Sequence, residues 1–70
     1  MEWQKLLRSE RAQIGQFELD VWRIGDGARY SVLDTSTGRY VAGGKCLDLN
    51  WAKQVSTGFA ESLISLTQPQ

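Results

Sequence analysis

The chain has 70 residues, of which eight are basic, eight are acidic and none is histidine. A chain of this length forms one small domain that buries only about 60% of its unfolded surface, so it has no room for a second domain or a deep substrate cleft. Its net charge of zero gives no overall attraction to nucleic acid or anionic membrane, and the absence of histidine removes the commonest general base and metal ligand.

The N-terminal segment, residues 1–12, fits two local structures. Trp3, Leu6 and Leu7 match one turn of a helix, but they also match a strand followed by a loop, which we favour slightly. The segment has neither the apolar run nor the small-residue cleavage site of a signal peptide. Since no run approaches the roughly 18 apolar residues of a membrane span, we expect no membrane partner.

Three strands are predicted in the middle of the chain. Apolar and polar residues alternate in QFELDVWRI and in ARYSVLD, and RYVAG is a third, shorter strand. The turns between them are GDG and DTSTG, the second a type I turn with its final glycine in the left-handed position. Upstream, Gly15-Gln16 fits a type II′ hairpin that would pair Ile14 with Phe17 and add a fourth strand.

The end of the chain is predicted to be helical. Asp48 is a good N-cap, and after it Trp51, Val55, Phe59 and Leu63 recur every four residues, with Ala52 and Leu66 beside them. We expect that stripe to face the sheet and form the helix side of the core.

Together these elements predict an α+β fold, a three- to four-stranded antiparallel β-meander packed against one C-terminal α-helix. Residues 1–66 would form this single α+β domain, and residues 67–70 a flexible tail.

Gly43 and Gly44 precede the predicted helix, where phosphate-binding loops occur. However, Lys45 is followed by cysteine instead of serine or threonine, and Asp48 would place its own carboxylate where the anion belongs. We therefore interpret the glycine pair as a corner between strand and helix.

Cys46 is the only cysteine of the chain. It lies near a lysine and a helix start, which lower a thiol pKa, but no histidine is present to act as its base. We interpret it as a small buried residue and expect no catalytic residue, metal site or cofactor. A lone cysteine in so small a domain also indicates a reducing, cytoplasmic location.

Trp22 is the most informative residue for function. Its neighbour Val21 belongs to the core face, so Trp22 should point away from the helix, with Arg29 opposite it and Leu33 on the same side. An open sheet face with these three residues is typical of a protein-binding hot spot. The alternative, which we weigh equally, is that the N-terminal segment folds over this face and covers it.

Two other functions are less favoured. A β-meander can bind nucleic acid with basic and aromatic residues on its open face, but Glu18 and Asp20 lie on that face and would repel phosphate. The two carboxylates, roughly 7 Å apart along the strand, could suit glycoside hydrolysis. Since the domain offers no cleft to raise the pKa of either, we expect no enzyme activity.

The order of these features resembles a group of small phage, prophage and bacterial accessory proteins. The resemblance lies in an N-terminal tryptophan, a VWRI-like strand, a TGRYVAGG-like hairpin and a helix starting near LDLNWAK. It implies a non-enzymatic accessory protein from a phage or mobile element that docks on another protein, for instance to inhibit a host defence complex. The predicted partner is another protein, or a second copy of this chain in a homodimer.

Overall fold

A computed structural model describes residues 2–67 as one open antiparallel sheet followed by one helix. In chain order the elements are β1 (Gln4–Lys5), β2 (Ser9–Ile14), β3 (Phe17–Ile24), β4 (Gly27–Asp34), β5 (Arg39–Cys46) and the helix α1 (Leu49–Thr67). Each strand pairs with the next one, so the sheet order is β1-β2-β3-β4-β5. The α+β fold is confirmed, but the sheet has five strands instead of three or four.

The additional strand comes from the N-terminal segment. β1 pairs Gln4 with Arg11 and Lys5 with Glu10. The chain then turns through a short loop, closed by a hydrogen bond from the Leu6 amide to the Ser9 carbonyl oxygen at 2.8 Å. The favoured interpretation, a strand followed by a loop, is therefore correct. At the other end the helix reaches Thr67, and residues 68–70 of the predicted tail lie outside the described residues.

The turn between β2 and β3 and the turn between β3 and β4 each contain two residues, and the first of the two is glycine. Gly15 (φ 56°) and Gly25 (φ 60°) adopt the left-handed backbone conformation, and the residues that follow them do not. This is the φ pattern of a type II′ turn, whose twist matches that of a hairpin. The first turn pairs Ile14 with Phe17, as predicted.

Asp34 organises the turn between β4 and β5. Its Oδ1 accepts hydrogen bonds from the Ser36 hydroxyl at 2.6 Å and the Ser36 amide at 2.9 Å, and Gln16 Nε2 donates to both carboxylate oxygens at 3.1 Å. Its carbonyl oxygen accepts from the amide of Gly38, which holds the predicted left-handed position at φ 74°. The Ser36 hydroxyl is the main reason why the pKa of Asp34 lies below its ordinary value of 3.8.

The core lies between one face of the sheet and α1. On the sheet it is built mainly by alternate residues of β3 and β4, which place their side chains on the same face: Phe17, Leu19, Val21, Ala28, Tyr30 and Val32. Buried and more exposed positions alternate from Phe17 to Trp22 in β3 and from Gly27 to Leu33 in β4, so these side chains lie on one face, toward the helix.

The helix turns only part of its predicted side to the sheet, because Ala52 is buried in the core while two large members of the stripe are about half exposed. Ala52, Ser56 and Ala60 have no exposed surface, whereas Trp51 is 53% exposed and Phe59 is 44% exposed. Each of these three buried residues comes one position after a member of the predicted stripe. One position corresponds to a rotation of about 100° around the helix axis.

The small residues are buried because the sheet already supplies the large ones. Leu19, Val21 and Val32 fill the space between the layers and are themselves fully buried, so alanine and serine allow α1 to approach the sheet at normal packing density. Val55 and Leu63, both members of the predicted stripe, do pack against this core and are partly buried. The small residues thus lie at the centre of the buried helix surface, and the large apolar residues lie along one edge of it.

An ion pair attaches the other side of α1 to the sheet. Lys53 Nζ donates a hydrogen bond to Glu10 Oε1 at 2.7 Å and lies 5.5 Å from the ring centroid of Trp3. Glu10 is a buried carboxylate of β2, and such a group needs a charged or hydrogen-bonding partner. The buried Ser56 hydroxyl is also satisfied, because it donates to the Lys53 carbonyl oxygen at 3.1 Å.

The glycine pair is neither a phosphate loop nor a corner, since both residues lie inside β5. Gly44 pairs with Tyr30, and a Cβ atom at position 44 would lie 3.4 Å from the Tyr30 ring. The ring of Tyr30 in turn stacks against Phe59, with centroids 6.1 Å apart. Glycine therefore leaves room for Tyr30 to cover the strand, and the chain turns into the helix after Cys46.

The helix orientation predicts which substitutions the fold tolerates. We expect Ala52→Leu to lower the free energy of unfolding by about 1–3 kcal/mol, because it forces extra atoms between helix and sheet. Trp51→Ala should cost less, since half of that side chain is in solvent. Chemical denaturation of both variants checks the order of the two effects, and the reverse order would contradict the observed helix face.

The turn at Asp34 predicts a pH dependence. A lowered pKa stabilises the folded state above the unfolded-state pKa, ordinarily 3.8, and this contribution disappears as the pH falls through the lower folded-state value. We expect the parent to melt above Asp34→Asn at neutral pH, and the difference to shrink below pH 3.8. A difference that is constant down to the lowest pH at which both proteins fold would exclude this role.

Candidate functional site

The candidate residues lie on the sheet face opposite α1, called here the open face. Strand register arranges this face in three cross-strand rows: Ser9, Trp22, Arg29 and Lys45; Arg11, Asp20, Ser31 and Gly43; Gln13, Glu18, Leu33 and Tyr40. Within residues 2–67, the N-terminal segment does not fold across it. β1 extends the edge of the sheet beside β2, and Trp3 packs against the core cluster on the helix side.

Trp22 and Arg29 lie directly opposite each other, as the sequence predicts. Trp22 is half-buried and Arg29 is exposed. Among the residues that the structure describes, the cation–π contact is the one between Lys53 and Trp3, so Arg29 is not stacked on Trp22. Its guanidinium group has no hydrogen bond or ion pair within the described chain and is available to a ligand.

Leu33 shares the open face but does not adjoin this pair. It lies four residues from Arg29 along β4, roughly 13 Å at the usual rise of a strand, and the middle row separates them. A bulge in β5 brings Tyr40 opposite Leu33, where the side chain of Tyr40 is 68% exposed. Sequence reasoning missed Tyr40, because a bulge changes the register without any local signal.

Arg11 ties together the two carboxylates of the open face. Its Nε lies 2.8 Å from Asp20 Oδ1 and 3.3 Å from Glu18 Oε1. The hydrogen bond to Asp20 is the main reason why the pKa of Arg11 is above its ordinary value. The arrangement is an ion-pair triad with one residual negative charge, and it occupies both carboxylates that the sequence suggested for acid–base chemistry.

The acidic residues are mostly occupied by contacts within the domain. Glu18 and Asp20 bind Arg11, and Glu10 binds Lys53. The Asp34 carboxylate holds its turn, and that of Asp48 accepts the Trp51 amide at 2.7 Å as the predicted N-cap.

The basic side chains are mostly not occupied. In the described part of the chain, those without an ion pair or hydrogen bond are Lys5, Arg8, Arg23, Arg29, Arg39 and Lys45. The positive and negative charges outside the ion pairs still nearly balance, but the basic side chains are the ones that mostly lack contacts within the domain.

Much of that positive charge surrounds Trp22. Arg29 and Lys45 continue its row across the sheet, and Arg8 and Arg23 line the same shallow groove as Trp22. These five residues, Arg8, Trp22, Arg23, Arg29 and Lys45, are called here the Trp22 patch. Composition alone could not identify it, because the internal acidic partners become visible only in the folded chain.

Cys46 lies at the end of β5, half-buried, and packs against the core cluster. This position suits the predicted structural role. Among the described residues, no group of three or more histidine, cysteine or acidic side chains is arranged to hold a metal ion.

Comparison with protein-family models, curated proteins and solved structures gives no significant match. The resemblance to phage and bacterial accessory proteins therefore stays a prediction. In the part of the chain that the structure describes, the helix is not apolar enough over its length to cross a membrane.

The basic side chains around Trp22 predict that its fluorescence is quenched more efficiently by an anion than by a cation. A Trp3→Phe, Trp51→Phe variant retains Trp22 as its single tryptophan. At low ionic strength, where screening is weak, iodide should quench this residue more strongly than caesium, after each ion is normalised to a free tryptophan derivative. Equal or reversed efficiencies would show that the patch is not electropositive.

Proposed function

We propose that this chain is a non-enzymatic accessory protein that binds another protein through its open face. The observation that supports the proposal best is the Trp22 patch, a half-buried tryptophan among basic side chains that the described fold does not use. Trp22 and Arg29 would form the centre of the interface. Leu33, with Tyr40 opposite it, would form a second contact at the far end of the face.

The residue types suit this role. Tryptophan and arginine most often dominate the energy of protein interfaces, and truncating a central one typically costs 2 kcal/mol or more. An arginine without an internal partner can pair with a carboxylate of the ligand, and complementary charge accelerates association and selects among partners. The partner of this face would therefore present acidic residues around an apolar contact.

The biological setting is part of the proposal. The resemblance to small phage and prophage proteins supports a mobile-element origin, and proteins of that kind act by docking on host machinery, for instance a defence complex. The lone cysteine supports a cytoplasmic location. A homodimer through the open face is the other form of protein binding that we considered.

Nucleic-acid binding is the second candidate, because unpaired basic groups around an aromatic ring also suit a single strand. The middle row of the open face argues against it. The Arg11 triad keeps one negative charge beside the Trp22 patch, and it interrupts the basic track that a phosphate backbone would follow.

A capture experiment with matched variants tests the proposal. Immobilised parent and a Trp22→Ala, Arg29→Glu variant are incubated with nuclease-treated extract of the organism that encodes the chain. The retained proteins are then quantified by mass spectrometry. We expect one protein to be retained by the parent and reduced at least tenfold by the variant, in line with the loss of a central tryptophan and a reversed charge.

The control variant is Gln54→Glu, Leu66→Ala, which adds negative charge and removes an exposed apolar side chain on the helix. It should retain the partner as the parent does, and melting temperatures confirm that both variants fold. Equal retention by the open-face variant would place the interface elsewhere. Material that the parent retains from a parallel untreated extract but not from the nuclease-treated one, and whose retention weakens steeply with added salt, would favour the nucleic-acid function.

A further inference from the structure

The two edges of the sheet differ in length. β1 closes one edge with only two residues, whereas β5 forms the other edge with eight, Arg39–Cys46. A long edge strand presents unpaired backbone groups that another strand can bind, and proteins usually protect such edges with proline, a very short strand or a covering element. β5 contains no proline, and its protective features are the bulge that brings Tyr40 opposite Leu33 and the charged side chains of Arg39 and Lys45.

The backbone groups of β5 that point outward follow from the register of the neighbouring hairpin. Ile24 and Gly27 flank a two-residue turn and so exchange hydrogen bonds with each other. Along an antiparallel strand, the backbone N–H and C=O groups of successive residues point alternately to one neighbour and to the other. Those of Ala28 and Tyr30 in β4 therefore point toward β5, where they face Cys46 and Gly44. The N–H and C=O groups of the residues between them on β5, Gly43 and Lys45, therefore point away from the sheet.

A hydrogen bond at the far end of the hairpin agrees with this assignment. The same alternation makes Gln16 and Thr35 a hydrogen-bonded pair, and the Thr35 amide does donate to the Gln16 carbonyl oxygen at 2.8 Å.

Aromatic side chains of α1 adjoin this edge on the helix side. Trp51 and Lys45 line a groove of about 470 Å³ at the end of β5. Phe59 stacks on Tyr30, whose ring covers Gly44. A strand added outside β5 would meet these exposed aromatic surfaces with every second side chain.

The charge of β5 determines which side chains would be favoured on the other face of the added strand. β5 contains Arg39 and Lys45 and no acidic residue, and neither basic group has an ion pair within the described chain. Lys45 lies beside Arg29 on the open face. Acidic side chains that alternate with the apolar ones would face this pair, while a second copy of β5 would bring basic residues against basic residues.

We propose that β5 is a docking edge for an extended segment of a partner protein, one whose apolar and acidic residues alternate. The segment pairs with the outward groups of Gly43 and Lys45, places its apolar side chains against Trp51 and Phe59, and directs its carboxylates toward Lys45 and Arg29. This mode of binding adds a sixth strand to the sheet. It shares Arg29 and Lys45 with the Trp22 patch of the proposed function, but its backbone pairing and its contacts with Trp51 and Phe59 lie outside the open face.

The probe is a capped nine-residue peptide in which valine and glutamate alternate. Two control peptides contain the same residues in blocks, or lysine in place of glutamate. Isotope-labelled protein is titrated with each peptide, and amide hydrogen exchange is followed by NMR. The alternating peptide should slow exchange at Gly43 and Lys45 at least tenfold, and neither control peptide should do so.

Two variants separate backbone pairing from charge. Lys45→Ala removes the charge but keeps the outward N–H group, whereas Lys45→Pro removes both at a position where an edge strand tolerates proline. We expect the peptide to bind Lys45→Ala more weakly than the parent, and Lys45→Pro at least tenfold more weakly than Lys45→Ala. If Lys45→Pro does not fold, a peptide N-methylated along one edge replaces it and should not bind.

Several outcomes would overturn the proposal. Equal binding of the alternating and block peptides would show that the alternation of side chains is not recognised, and tight binding of the N-methylated peptide would show that strand pairing is not involved. Slowed amide exchange that is confined to the residues around Trp22 would show that the peptide binds the Trp22 patch instead of β5. Protection of Gly43 and Lys45 that rises with protein concentration, without peptide, would identify a second copy as the occupant.

Discussion

The close approach of α1 to β3 and β4 is the contact on which the rest of this structure depends. Ala52, Ser56 and Ala60 lie against a sheet face built from Leu19, Val21 and Val32, and all six are fully buried. A chain of 70 residues has few other means of burying apolar surface. Because its single helix covers only one face, the opposite face and the long edge at β5 are left to solvent or to a partner.

The acidic and basic side chains differ in how far the fold uses them. The carboxylates of Glu10, Asp34 and Asp48 hold the helix, a turn and a helix start in place, and those of Glu18 and Asp20 pair with Arg11. Most basic side chains have no such task. A domain with a net charge of zero thus has basic side chains that are free to bind a partner, and several of them lie around Trp22. Folding, and not composition, creates this asymmetry.

Much of the fold could be predicted from the sequence where local rules decide it. The alternation in β3 and β4, the glycine-led turns and the Asp48 cap each depend on a few adjacent residues, and all are confirmed. The helix face could not be predicted in this way, because the depth of Ala52 and Ser56 depends on the size of side chains far away in sequence. The position of Gly44 inside β5 likewise depends on the ring of Tyr30 on the neighbouring strand.

For the candidate site, sequence alternation correctly placed Trp22 opposite Arg29, since register in a two-residue hairpin follows from the turn. The spacing of four residues already separates Leu33 from Arg29 along β4, but the sequence could not show that Tyr40 joins Leu33 across a bulge. Nor could it show which arginines are free, because that depends on which carboxylates find partners in the folded chain.

Site-specific photo-crosslinking tests the central claim, that the open face is the binding surface, most directly. A benzophenone amino acid is introduced at position 13, an exposed position of the open face, or at position 54, on the exposed side of α1, and the protein is irradiated in its native cells. We expect a discrete protein adduct from position 13 and none from position 54. An adduct from position 54 alone, or adducts to nucleic acid instead of protein from position 13, would contradict this claim.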